Sequence, residues 1–338
     1  MSTAQPDASK AGVPLISIVV PAYNEAENIP IFHERVTGVL EKMDVTYEIV
    51  FINDGSRDDT LDRMRALADS DPRVRVVDLS RNFGKEIAMT AGIDAASGQA
   101  VIPIDVDLQD PPELIPELLA KWREGYDVVY ATRQEREGET WFKRATAGLF
   151  YRLMEKITAI RIPRDTGDFR LMSRPVVDAL QEIPERHRFM KGLFSWVGFR
   201  QVGVTYRRQP RHAGETKWDY WKLWNFAIEG ITSFSHLPLQ IVTYFGFLVS
   251  VVAFFYAIFI IIRTLLVGGD VPGYPSLVTI ILFIGGVQLI ALGILGEYIG
   301  RIHDEVKSRP LYIVRGKHGF GTDARVGPRP RRKMMNDE

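Results

Sequence analysis

No cysteine occurs in the 338 residues. Thiol nucleophiles, disulfides and Cys-ligated metals are excluded together, and the redox compartment stays undecided. Neither charge is in excess, because Lys and Arg total 42 and Asp and Glu total 42. Nothing global points to a nucleic acid or another polyanion as partner, so any charge argument has to be local. Two common phosphate-binding signatures are also missing. No G-x-G-x-x-G follows the first apolar run and no G-x-x-x-x-G-K-[ST] occurs anywhere, so dinucleotide and P-loop readings lack their main feature. The opening MSTAQPDASKAGVP is polar and has neither the charged nor the apolar region of a signal peptide. Residues 1–13 are expected to be disordered, ahead of a domain that stays in the cytosol.

What is present is distributed unevenly. With 46% apolar and 25% charged residues the chain can bury a real core, yet long apolar runs gather near its C-terminal end. Ile241 to Ile262 carry no charge, and Leu277 to Leu295 hold only Thr279 and Gln288 as polar members. Each is about as long as a helix crossing a bilayer of about 30 Å. Two transmembrane helices, about 239–263 and 277–299, are therefore expected within a hairpin spanning 237–299. A buried helical hairpin of a soluble protein is the blander account, and two such runs in tandem speak against it. After the second run, residues 301–338 hold ten Lys/Arg against five Asp/Glu. By the positive-inside rule both termini should face the cytosol, with 300–338 a basic cytosolic tail. Before the first run, KWDYWKLWNFAIEGITSFSH mixes aromatic and basic residues, which suits an amphipathic segment over 216–236 at headgroup level. A helix packed on the soluble domain is its competitor.

Residues 14–215 read as a soluble domain. LISIVV is a strand, apolar except at Ser17; Asn24-x-x-Glu27 follows as a capping box for a helix with apolar Ile29, Phe32, Val36 and Leu40. YEIVFIN, RVRVVDL, AVIPID and YDVVYATR are further strands, and helices fall between them, the second opened by a Ser56-x-x-Asp59 box. Alternation at this spacing predicts a mostly parallel sheet with helices on both faces. Ligands of such sheets bind at the strands' C-terminal ends, where Asp54, Asp105 and Asp107 fall.

The stretch DVDLQDPPE concentrates the chemistry. An EF-hand loop fails, since its sixth position is Asp110 where Gly is needed. Asp105, Asp107 and the Gln109 amide are hard oxygen ligands suited to Mg²⁺ or Mn²⁺, which keep positions for water and substrate phosphates. On spacing alone, solvated loop acids account for the stretch equally well, and Asp110 with the two prolines reads as the start of the next helix. Lys85 opens a helix after Gly84 and is either a donor-binding group or a helix-start charge. His33, His212 and His236 have no metal-ligand partner at useful spacing.

Six stretches in order, VVPAYNEAENI, FINDGSRDDT, RNFGKEIAMTAGIDAASG, DVDLQDPPE, DTGDFRLMSR and RHAGETKW running on to GITSFSHLPL, together resemble the polyprenyl-phosphate glycosyltransferases. These are inverting family 2 enzymes that include bactoprenol glucosyltransferases and dolichyl-phosphate mannose synthases. The resemblance covers about Leu15 to Gly300. It implies a GT-A fold, interfacial helices and a two-helix membrane hairpin, a nucleotide-sugar donor, a divalent metal (Mg²⁺ or Mn²⁺) and a polyprenyl phosphate acceptor. Pro21, Ala22, Tyr23, Asn24 and Glu25 match the family's nucleoside segment and Asp54 the acid beside the base. Asp105, Asp107 and Gln109 match its metal-binding sequence. Asp168 matches an acid on the acceptor side, with a structural pairing to Arg170 as the alternative. Arg133, Arg207, Arg211 and Lys217 match acceptor and phosphate contacts.

The implied activity is transfer of one sugar, glucose foremost, from a UDP-sugar to polyprenyl phosphate at the cytoplasmic membrane, and Asp107 and Asp168 are its catalytic candidates. A GDP-mannose-dependent mannosyltransferase and a noncatalytic nucleotide-sugar-binding membrane scaffold are the alternatives. A homo-oligomer assembled through the membrane region is compatible with the family. A processive polysaccharide synthase is disfavoured, because Q-x-x-R-W is absent and two spans are too few for a polymer channel.

Overall fold

The computed structural model describes residues 15–133, 166–183, 185, 186, 188–206, 237–267 and 273–321. The N-terminal residues 1–13, the amphipathic segment 216–236 and the candidates Arg207, Arg211 and Lys217 lie outside them. Eight strands form one sheet: β1 (Ile16–Ala22), β2 (Tyr47–Asn53), β3 (Val74–Leu79), β4 (Ala100–Pro103), β5 (Val128–Arg133), β6 (Thr166–Ser173), β7 (Gln201–Tyr206) and β8 (Val314–His318). Their order is β7-β5-β6-β4-β1-β2-β3-β8. β1 pairs in parallel with β2 and β4, β2 with β3, and β5 with β7, whereas β6 runs antiparallel between β4 and β5. The sheet is thus a mixed α/β GT-A sheet, with an antiparallel insertion that the strand-helix alternation did not reveal.

Strand residues alternate between two apolar layers, as the two-residue period of a strand requires. Ile16, Ile18 and Val20 of β1 and Ile49 and Phe51 of β2 face one layer, built with helices α1 (Asn28–Leu40), α2 (Thr60–Ser70) and α4 (Ile115–Arg123). Val19 of β1 and Val50 and Ile52 of β2 face the other, built with α3 (Lys85–Ala95), α5 (Arg174–Glu182) and α6 (Met190–Trp196). Both faces are covered, which explains why β1 and β2 read as mainly apolar runs; the polar members Ser17 and Glu48 are buried, with the Ser17 hydroxyl donating to the Glu48 carboxylate. In the first layer Phe32 of α1 meets Phe51 edge-on with ring centres 6.0 Å apart, and removing either ring would cost about 3–5 kcal/mol. In the second, α3 lies close enough to the sheet that a Cβ on Gly92 would come within 2.3 Å of Val19 Cγ1 and 2.5 Å of Ile52 Cδ1.

Beyond β7 come two long helices, α7 (Leu237–Val267) and α8 (Tyr274–Val306), packed against each other. At 31 and 33 residues they are each about 45–50 Å long, longer than the two spans read from hydropathy. Among the described residues one segment, Phe283–Val306, is long and apolar enough to cross a membrane, and Ile241–Tyr256 is a shorter apolar stretch. Phe247, Phe254, Phe255, Leu265, Leu289 and Ile290 stand exposed along these helices.

The chain after α8 departs from the expectation of a basic tail. Tyr312 is fully buried, and β8 follows it onto the free edge of β3 in antiparallel register. VRGKH is a polar segment with no strand-like apolar alternation, as an edge strand with one solvated face can be.

Candidate functional site

The carboxyl ends of β1, β2, β4 and β5 open onto one cleft of about 660 Å³. Pro21 and Ala22 end β1, Asp54 follows β2, Asp105 and Asp107 follow β4, and Arg133 ends β5. Because β6 runs antiparallel, it is its beginning, Gly167 and Asp168, that reaches the same side. Tyr23, Glu25, Lys85 and Arg133 complete the sequence-predicted residues that line the cleft, and Asn82, Gly84, Glu86 and Lys191 join them. Neither Asn24 nor Gln109 is among its lining residues.

One half of the cleft rests on two interlocked loops. Asn24 takes a left-handed backbone, φ 54°; its N–H donates to Ser56 Oγ at 3.0 Å and its Oδ1 accepts the Arg57 N–H at 2.9 Å. Glu25 N–H donates to Thr60 Oγ1 at 2.8 Å. These bonds replace the two capping boxes. The first residues before α1 and α2 are Glu27 and Asp59, and neither makes a side-chain cap bond; Asn24 and Ser56 tie the β1 and β2 loops to each other. Asp54 sits below, buried, accepting N–H bonds from Phe83 at 2.7 Å and Gly84 at 2.9 Å. Burial raises its pKa even against those two donors and the nearby Arg81. Gly55 makes this approach possible: at φ 65°, a Cβ there would stand 2.4 Å from the Arg81 carbonyl carbon.

At the centre, charges of both signs converge. Lys85, the first residue of α3, places its Nζ 2.7 Å from Asp105 and 2.8 Å from Asp168. Withdrawal from water opposes the ammonium, but the two carboxylates outweigh it and hold Lys85 above its ordinary pKa. Burial likewise works against the Asp168 carboxylate, and Lys85 and Lys191 reverse that and keep it well below the carboxylate range. Asp168 Oδ1 is buried with no hydrogen-bond partner among the described residues. Arg170 acts on Asp168 through its charge, and its hydrogen bonds go to the backbone. Its guanidinium donates to the Gly167 and Asp168 carbonyls and lies over the Phe194 ring, and the Asp168 carboxylate turns to Lys85. Glu86 is pushed up to about 8, by burial first and by the charge of Asp168 second.

Across the cleft, Arg133 Nε donates to Tyr206 Oη at 3.2 Å, and Tyr206 donates in turn to Asp110. Asp110 is buried. It does not start the helix after it: Pro111 precedes the short 3₁₀ turn Pro112–Leu114, without a side-chain cap. The acid is a partner of β5 and β7 and helps hold Arg133 in place.

Between Asp105 and Asp110 the chain turns through Leu108 at φ 55°, and Asp107 Oδ1 accepts the Gln109 N–H at 3.2 Å. That turn brings both Asp105 and Asp107 onto the cleft. No cluster of three His, Cys, Asp or Glu occurs among the described residues. Two hard carboxylates without a third fit a cation that fills its remaining positions with water and phosphate oxygens, the habit of Mg²⁺. Neither Glu86 nor Lys191 was given a role by the sequence: Glu86 sits inside the RNFGKEIAMTAGIDAASG stretch looking like a helix-surface acid, and Lys191 belongs to a segment with no motif.

Residues 17–181 match the profile described as glycosyl transferase family 2, and residues 237–302 match the GtrB C-terminal hairpin. An uncharacterized glycosyltransferase of Synechocystis is 58% identical over 299 residues, 88% of this chain and 94% of that protein. The SfII prophage-derived bactoprenol glucosyl transferase of Shigella flexneri is 54% identical over 303 residues, covering 90% of this chain and 98% of its own. A prophage bactoprenol glucosyl transferase homolog of Escherichia coli K12 is 53% identical over 300 residues, with 89% and 98% covered.

Proposed function

Since this chain belongs to glycosyl transferase family 2 and carries a GtrB-type hairpin, we propose that it moves one glucose from UDP-glucose to a polyprenyl phosphate. The acceptor class and the sugar come from the relatives that carry the name bactoprenol glucosyl transferase. The observation that carries the reading is the grouping of Lys85, Asp105, Asp107, Asp168 and Arg133 around one cleft. A sugar diphosphate and a phosphate acceptor bring several negative charges together, and the transfer depends on offsetting their repulsion.

The acceptor phosphate has its second pKa near about 6, so at neutral pH it is already a nucleophile and needs no strong base. Its oxygen attacks the anomeric carbon from the face opposite the diphosphate; the new C–O bond forms as the bond to UDP breaks, with inversion. Asp105 and Asp107 would hold Mg²⁺ or Mn²⁺, whose charge stabilises the departing diphosphate. Lys85 bridges the metal-side acid and Asp168, and so fixes where both carboxylates stand. Asp168, kept ionised by Lys85 and Lys191, orients the acceptor side without serving as an obligatory proton acceptor. Arg133, held by Tyr206 and Asp110, offers the fork that binds a phosphate. Pro21 to Glu25 and Asp54 form the nucleoside side. Arg207, Arg211 and Lys217 would extend the acceptor side.

On this reading α7 and α8 anchor the enzyme in the cytoplasmic membrane as a two-span hairpin, with the catalytic domain and both termini in the cytosol. Full-length protein in lipid nanodiscs, given labelled UDP-glucose, Mg²⁺ and undecaprenyl phosphate, should yield one lipid-extractable labelled product per acceptor. The Asp107→Ala variant should lose about a hundredfold or more of that rate, since a lost metal contact removes several kcal/mol of charge stabilisation. Label from GDP-mannose in preference, or in polymer alone, would overturn the assignment.

A further inference from the structure

The donor half of the cleft depends on a loop, Ser80–Gly84, that joins β3 to α3. Its Phe83 and Gly84 N–H groups go to Asp54, and Asn82 and Gly84 line the cleft. Residues that brace the start of this loop and the helix after it lie more than two hundred positions later, beyond the hairpin.

At the β3 end, the Ser80 N–H donates to the Ile313 carbonyl at 2.9 Å and Arg315 Nη2 donates to the Ser80 carbonyl at 2.5 Å. The same guanidinium lies 3.9 Å from Asp78, a buried carboxylate that also accepts Asn53 Nδ2 at 2.7 Å. Asn53 Oδ1 in turn accepts the Ser56 N–H at 3.1 Å, and Ser56 Oγ is the acceptor for Asn24. A line of one ion pair and three hydrogen bonds thus runs from the C-terminal strand to the loop after β1. Tyr312 is fully buried, and its Oη donates at 2.9 Å to Asp94, near the end of α3 that lies away from the loop. Asp94 belongs to the helix that begins with Lys85. Residues 312–315 therefore hold the β3 end of the donor loop directly, through Ser80, and the body of the helix that follows the loop through Asp94.

We propose that this post-hairpin segment is a working part of the donor site, with Tyr312 and Arg315 as positioning residues that set the donor loop for the nucleoside diphosphate. The inference rests on the donor-site reading given above. Arg315 is more than half exposed, so it is not a core residue whose loss unfolds the domain, and Tyr312→Phe keeps the buried ring while deleting a single hydroxyl.

The test is equilibrium binding of UDP, with Mn²⁺ present, to the full-length protein in nanodiscs, alongside the KM for undecaprenyl phosphate. Arg315→Ala and Tyr312→Phe should each weaken UDP by about fivefold, the loss that one net hydrogen bond carries, and leave the lipid KM unchanged. Arg315→Lys should recover much of the affinity. UDP binding unchanged in both variants, or an equal weakening of UDP and lipid, would overturn the inference and leave the proposed activity standing. Wild-type protein that binds neither UDP nor GDP would overturn the proposed function and this inference with it.

Discussion

The Lys85 ammonium stands 2.8 Å from the Asp168 carboxylate and, on the same nitrogen, 2.7 Å from Asp105. Two acids, one from the turn after β4 and one from the antiparallel β6, are thereby joined through the first residue of a helix. Without the cation they would face each other across the cleft and repel.

Lys85→Met should consequently lower kcat/KM by about a hundredfold or more, the usual scale when a preorganised charge is removed from a reacting centre. Steady-state kinetics with both substrates varied would check this. Lys85→Arg, which keeps the charge, should retain more activity than the Met variant.

Glu86 gives a pH signature of its own. Its carboxyl rises from the ordinary 4.5 to about 8 in the folded protein, so between those values the native state holds a proton that the unfolded chain has released. Stability therefore falls as pH rises through that window. The Glu86 contribution is intact below the unfolded value and is fully lost above the folded one. Comparing Tm at pH 5 and pH 8, wild type should lose more than Glu86→Gln, whose side chain cannot ionise.

Tyr206→Phe deletes the hydroxyl that donates to Asp110 and accepts from Arg133. The expected result is a loss of about 1–3 kcal/mol of stability together with a raised KM for the lipid phosphate, measured by chemical denaturation and by kinetics. An unchanged lipid KM would remove Arg133 from the acceptor side.

At Gly92 the prediction concerns packing alone. Its missing Cβ leaves room for Val19 and Ile52 against α3, and Gly92→Ala should cost about 1–3 kcal/mol through overpacking. Thermal denaturation would register it as a lower Tm.

Much of the fold was legible because it depends on local pattern. Mainly apolar runs such as Ile16–Val20 announce strands covered on both faces, and acids just after them fall at the cleft by topology. Residues that act across long separations were not legible. Asn24 and Ser56 read as helix caps because short polar side chains that cap helices also bind neighbouring loops, and nothing nearby says which they will do. Asp110 read as a helix start for the same reason, its true partners Tyr206 and Arg133 being set by β5 and β7. Lys85 and Asp168 meet only because β6 enters the sheet in reverse, which spacing does not encode. β8 was missed because a five-residue polar strand at a sheet edge has no apolar alternation to read.

The position of β8 also bears on how the protein is made. A nascent chain contains β1, β2 and β3 long before Val314 is synthesised. Through that interval the outer edge of β3 is an open row of hydrogen-bonding groups, the kind of edge that recruits foreign strands. It closes only after both long apolar helices have been translated. Completion of the β3 side of the sheet is thereby placed last in biosynthesis, behind the translation of the hairpin.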